Sequence, residues 1–157
     1  MLQRIQTVFL FLAIVFIALS VILPIAFYSN LTTANQFEYS ILNFLSPKNP
    51  NNLGFNSLPL FVPAAISIVL SIAALFMFKK RKLQINLTIY SIVFNVVYVG
   101  LLAYYILSVF SNSASKDVTV SHHYPLIFPI IALIFSFLAI RGIKKDDELV
   151  KSLDRLR

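Results

Sequence analysis

Charged residues are missing from long stretches of this chain, and the apolar runs they leave are of membrane-crossing length. Ile5 to Phe37 carries no charge, and its apolar part covers residues 5–28. Leu58 to Phe78 is a second run, of 21 residues, and Leu83 to Phe110 a third, of 28. A fourth lies between Asp117 and Arg141, apolar from Tyr124 to Ile140, and gives a span over 122–142 that starts at the interface. A membrane helix needs about 20 mostly apolar residues. The pattern predicts an all-α, integral membrane four-helix bundle forming one domain over residues 1–157. External loops are expected at 29–57 and 111–121, a cytoplasmic turn at 79–82 and a cytoplasmic tail at 143–157.

Within the spans, small and polar residues recur at steps of three and four. The third span places Thr88, Ser91, Asn95, Tyr98, Leu102 and Tyr105 on one helix face. The second does the same with Ala64, Ser67, Ser71 and Ala74, the fourth with Pro129, Ala132, Ser136 and Ala139, and the first with Ala13, Ile17, Ser20 and Pro24. Small residues let membrane helices approach closely, and buried polar side chains bond across the contact. The seams therefore predict a tightly packed bundle. Asn95 is the most polar residue of any span, and an amide facing hydrocarbon is costly. It is expected to act as interhelical glue; the functional alternative is a ligand contact in a pocket with Tyr98 and Tyr105. Pro59 and Pro125 sit where spans begin, where proline is tolerated. Pro63 and Pro129 lie a turn deeper, where a kink is expected.

The connections differ in character. Residues 29–57 begin and end in turn formers, including Pro47, Pro50 and Gly54, but Phe37, Tyr39, Ile41, Leu42, Phe44 and Leu45 are too apolar for a free loop. That stretch should cap its own bundle, lie on the interface or meet a partner. The second loop carries the pair His122–His123; with Glu38 and Asp117 the only external acids, it lacks the convergent ligands that a metal needs. The tail from Arg141 to Arg157 has Leu149, Val150, Leu153 and Leu156 at helical spacing. It is expected to form a short amphipathic helix continuing the fourth span, with Gly142 allowing a bend.

Composition sharpens this picture. The chain is 59% hydrophobic and 12% charged, with a mean hydropathy of +0.84, where a soluble domain is about 45–50% apolar and about 25% charged. A cytosolic enzyme and a soluble nucleic-acid-binding module are thereby excluded. The net charge of +7 is used for orientation: Arg4, Lys79 to Lys82, and six bases from Arg141 onward make 11 of the 13 basic residues, leaving Lys48 and Lys116. Lys and Arg gather on the cytoplasmic side, so both termini are expected there, in a multi-pass membrane protein. Reading residues 1–34 as a cleaved signal peptide competes with this, but its apolar stretch of about 24 residues exceeds the usual h-region of about 7–15.

No Asp, Glu, Lys, Arg or His falls inside the apolar cores, and such residues usually mark ion coupling or intramembrane catalysis. Cysteine is absent, the two histidines share one loop, and three glycines cannot build a phosphate loop. The expectation is a non-enzymatic accessory or scaffold subunit with no cofactor. Its partners would be the lipid bilayer and another membrane protein or itself, with no nucleic acid and no metal. The alternative is a lipid or small-molecule binding or transport protein with its pocket near Asn95, Tyr98 and Tyr105.

Both ends of the chain carry further pattern. Gln3, Arg4 and Gln6 lead into the first span, and Arg141, Gly142, Lys144, Lys145, Asp154, Arg155 and Arg157 close the chain. With the span layout, these resemble DUF4293, a family of small four-span inner-membrane proteins of Bacteroidetes-type bacteria with no assigned activity; Leu153 stands where a smaller residue is expected. The resemblance implies an inner-membrane location and no substrate or cofactor. If both ends are cytoplasmic, Gln3, Arg4 and Gln6 can meet the tail there. These residues are the candidate surface for a partner, or a clasp in which Asp154 or a neighbouring acid pairs with Arg4 or the turn at 79–82.

Overall fold

Pro24 decides where the first helix stops. The residue before a proline is pushed out of the helical region, and α1 runs from Leu2 to Ile22, its last turn closed by Leu23 N–H donating to Leu19 O at 3.0 Å. The computed structural model describes the backbone of residues 2–24, 26–30, 36–41, 58–78, 80–110, 118–122 and 124–155, and side chains for 6–24, 40–41, 58–78, 80–107 and 126–147. Beyond α1 come strands β1, Ala26–Asn30, and β2, Gln36–Tyr39, then helices α2, Leu58–Phe76, and α3, Arg81–Tyr104. A π-helical turn, Tyr105–Phe110, extends α3 and is followed by β3, Val118–His122, a 3₁₀ turn at Tyr124–Ile127, and α4, Phe128–Arg155.

The four long helices agree with the helical reading, but the three strands correct an all-α description. They form one antiparallel sheet in the order β2-β1-β3, with Tyr28 opposite Phe37 on one side and Val120 on the other. Two local causes account for it. Pro24 frees Ala26–Tyr28 from the first helix, to which the unbroken apolar run assigns them. The Val-Thr-Val of β3 is β-branched and favours a pleated strand. The tail continues the helix of the fourth apolar run: α4 passes through Gly142 without interruption to Arg155.

Helix contacts form a ring in which α1 touches α2 and α4, and α3 touches α2 and α4. The tight turn between α2 and α3, with Lys80 N–H on Met77 O at 3.0 Å, makes that pair antiparallel. Gln6 near the start of α1 meets Asp146 late in α4, and Phe16 meets Phe128 at the other end, so α1 and α4 are antiparallel too. This is up-down-up-down topology, with the sheet at the end opposite Gln6. Each helix buries a seam at steps of three and four: Gln6, Leu10, Ala13, Ile17 and Ser20; Leu60, Ala64, Ser67, Ser71 and Ala74; Gln84, Thr88, Ser91, Asn95, Tyr98 and Leu102; Pro129, Ala132, Ser136, Ala139 and Ile143. A period of 3.5 stays on the inner face of a straight helix only briefly, so such seams favour a left-handed wrap.

Two prolines behave differently. Pro129 is the second residue of α4, where no helical bond is lost, so the kink expected there has no cause. Pro63 is inside α2 and buried; it has no N–H to give to the Pro59 carbonyl.

Apolar core residues fall into two clusters. One, near the sheet, contains Ile17, Val21, Ile41, Leu60, Ala64, Tyr98, Leu102 and Ala132; the other, toward Gln6, contains Leu10, Ala74, Ala139 and Ile143. On every helix the residues between the clusters are small or polar: Ala13, Ser67 and Ser71, Ser91 and Asn95, Ser136. Outside, the faces are apolar, with Phe11, Val69, Phe76, Val93, Val96, Tyr104, Ile134 and Phe137 all exposed. Helix α2 and residues Arg81–Leu107 are long and apolar enough to cross a membrane.

Candidate functional site

The polar layer between the two clusters is closed by serine hydroxyls. Ser67 Oγ donates to Ser91 O at 3.0 Å, and Ser91 Oγ donates to Ser67 O at 3.1 Å. Ser71 Oγ lies 2.6 Å from Ser91 Oγ; with the Ser91 hydrogen on Ser67 O, Ser71 is the donor. A hydroxyl reaches the backbone of a facing helix only where both contact positions are small. The Ser-x-x-x-Ser of α2 and Ser91 of α3 supply that closeness.

The neighbouring polar groups are bound less evenly. Thr88 Oγ1 turns back to Gln84 O at 2.8 Å, satisfying itself within α3. Tyr98 is fully buried and reaches across to α1, its hydroxyl 3.1 Å from Ser20 Oγ. Ser20 itself donates to Ile17 O at 2.7 Å, which leaves Tyr98 as donor to Ser20. Asn95 is 1% exposed; its Nδ2 reaches Pro129 O on α4 only at 3.4 Å, and its Oδ1 is buried without a hydrogen-bond partner. Tyr105 stands half-buried at the start of the π-helical turn, edge-on to Tyr104 with ring centroids 6.0 Å apart. Thus Thr88, Ser91, Asn95 and Tyr98 share the inner face of α3, and Tyr105 packs at the edge of the sheet-side cluster.

At the opposite end a second polar junction joins three elements. Gln6 Nε2 donates to Asp146 Oδ2 at 2.6 Å, and an Arg81 guanidinium N–H donates to Asp146 O at 3.0 Å. Asp146, two helical turns before Asp154, meets the α2–α3 turn through its backbone carbonyl, while its carboxylate goes to Gln6. Gly142 makes room for this: a Cβ there would stand 2.9 Å from Gln6 Cγ. Gln6, expected on a partner surface, is instead buried against α4. Arg141, Lys144 and Lys145 are exposed. The side chains of Gln3, Arg4, Asp154 and Arg155, and all of Arg157 and His123, lie outside the described residues, as do 42–45 of the apolar loop. Within that loop Ile41 is fully buried in the core, and Ser40 Oγ lies 3.1 Å from Val21 O and 3.0 Å from Ile22 O, capping the carbonyl end of α1.

Gln84 and Asp146 escape a reading that stops at the charges flanking each span. Continuing the α3 steps back from Thr88 reaches Gln84, and continuing the α4 steps past Ile143 reaches Asp146, so the signal was present in the spacing. Among the described residues no group of three or more His, Cys, Asp or Glu could hold a metal ion.

Fold and site together define a helical bundle with apolar outer faces, a polar interior layer and two helices able to cross a membrane. The chain belongs to the family described as a domain of unknown function (DUF4293), whose model matches residues 2–156. A search of curated proteins found no match.

Proposed function

We propose that this chain is a non-enzymatic accessory or scaffold subunit of the bacterial inner membrane, crossing it four times with both termini in the cytoplasm. One observation carries the reading: the interior hydroxyls of Ser20, Ser67, Ser71, Ser91 and Tyr98 are engaged in bonds within and between helices. A polar interior used for holding helices together is that of a structural bundle, since a catalytic or transport site keeps polar groups open to its substrate. The orientation rests on the sequence, in which 11 of 13 basic residues come before the first apolar run, between the second and third, or after the fourth.

Purification from the native membrane in mild detergent, followed by mass spectrometry of whatever co-purifies, tests this. A stoichiometric membrane partner is the expected result. Recovery of the chain alone with a retained lipid or small molecule would move the assignment to the second reading, a binding or transport protein. That reading is favoured by the unpartnered Asn95 Oδ1, with Tyr98 and Tyr105 as the other walls.

A further inference from the structure

The outer face of α4 changes character within three residues. Ile130, Ile134, Phe137 and Leu138 are exposed along it, and the next outward positions are Arg141, Lys144 and Lys145, all exposed. These positions are three and four apart and form one continuous ridge. The acids of the same segment are sorted the other way: Asp146 is turned inward to Gln6, and Asp147 is half-buried. Residues 141–147 carry three bases and two acids, yet the outward face presents the bases. Among the described residues no hydrogen bond or ion pair engages Arg141, Lys144 or Lys145. A signal that only orients the chain requires basic residues at this end; it does not require them on one face directly below an apolar ridge.

We infer that this face binds an anionic phospholipid of the cytoplasmic leaflet, its phosphate held by Arg141, Lys144 and Lys145 and its acyl chains along Ile134, Phe137 and Leu138. The inference rests on the membrane-spanning orientation proposed above. Arg141 supplies a planar fork suited to phosphate oxygens, and the two lysines add point charges. A zwitterionic lipid offers the same phosphate but brings its own cation, so the complementary ligand has a net negative headgroup.

The full-length protein is reconstituted in phosphatidylcholine vesicles with and without phosphatidylglycerol, re-extracted in mild detergent, and its retained lipid identified by mass spectrometry. The wild type is expected to enrich phosphatidylglycerol. Each base near an anionic surface contributes about 1 kcal/mol, so Arg141→Gln should lower the enrichment about fivefold. The triple variant Arg141→Gln, Lys144→Gln, Lys145→Gln should abolish it. A control pair, Lys80→Gln with Lys82→Gln, removes exposed charge at the same end from the α2–α3 junction and should leave it intact. Equal loss in the control, undiminished enrichment in the triple variant, or no preference in the wild type overturns the site. Release of the wild type from native membranes by alkaline carbonate would instead overturn the membrane reading on which the site depends.

Discussion

Between α2 and α3 the contact is made by Ser67, Ser71 and Ser91; between α1 and α4 it is made by Phe9, Phe16, Phe128 and Phe135. In the first pair, hydroxyls bond directly to the backbone of the opposite helix, which demands close approach. In the second, Phe135 stacks on Phe16 and Phe9 at centroid distances of 5.6 and 6.2 Å, and Phe16 meets Phe128 at 5.8 Å. The serine-bonded pair contains the two helices whose described residues are long and apolar enough to cross a membrane. The aromatic pair ends in the Gln6–Asp146–Arg81 junction. Hydrocarbon supplies no hydrophobic drive between helices, so a pair surrounded by lipid is held by closeness and polar bonds. The α1–α4 pair combines ring stacking with small buried residues, Ala13, Ala132 and Ala139, and a polar junction at its end adds the register.

Ser91→Leu should give the largest effect on this contrast. It removes the hydroxyl shared by Ser67 and Ser71 and places a branched side chain where two backbones meet. Overpacking costs about 1–3 kcal/mol, and the lost interhelical bonds about 0.6–1.7 kcal/mol each. A loss of about 3 kcal/mol in reversible unfolding from detergent micelles is therefore expected, with Ser91→Ala losing about 1 kcal/mol. Equal, small losses for both variants would mean that closeness does not hold this pair.

Phe135→Leu tests the other side. It keeps a large apolar side chain and deletes two ring pairs, each worth about 0.5–1.5 kcal/mol, so the same measurement should fall by about 2 kcal/mol. No loss would show that the rings only fill space.

At the end junction the sign is more informative than the size. Gly142→Ala gains about 1 kcal/mol of helix propensity, but its Cβ displaces Gln6, whose bond to Asp146 is then strained or lost at a cost of about 1 kcal/mol. In the wild type these nearly cancel. With Gln6→Ala already present, Gly142→Ala should stabilise by up to about 1 kcal/mol. Additive behaviour of the two substitutions in a double-mutant cycle would place no close contact between residues 6 and 142.

These differences explain what could be read in the sequence. The α2–α3 seam was legible because small polar residues stand out in an apolar run, and their steps of three and four name the inner face. The buried faces of α1 and α4 were legible through Ala13, Ser20, Ala132 and Ser136 for the same reason. The phenylalanine contacts were not, because a ring in an apolar helix looks the same whether it faces lipid or a neighbour. The sheet was hidden by a different ambiguity. Ala26–Tyr28 continues an apolar run, and only the helix-stopping geometry around Pro24 separates strand from span. Ile41 was marked by its stretch being too apolar for a free loop, but Ser40 sits in a loop by every local signal, and its role as a cap depends on where the sheet returns the chain.

The smallest expected effect belongs to the residue that looks most functional. Asn95→Leu removes a donor held at 3.4 Å and an acceptor with no partner. A long bond contributes little, and an unpaired buried acceptor costs free energy. The substitution should therefore leave stability within about 1 kcal/mol of wild type or raise it, where glue of ordinary strength would lose stability. Folding and native co-purification measured together separate the readings. Unchanged stability with unchanged partners assigns Asn95 no role in assembly. Unchanged stability with loss of a retained small molecule identifies Oδ1 as the contact for a hydrogen-bond donor. A clear loss of stability would restore Asn95 to the same class as Ser91 and remove the main support for a pocket.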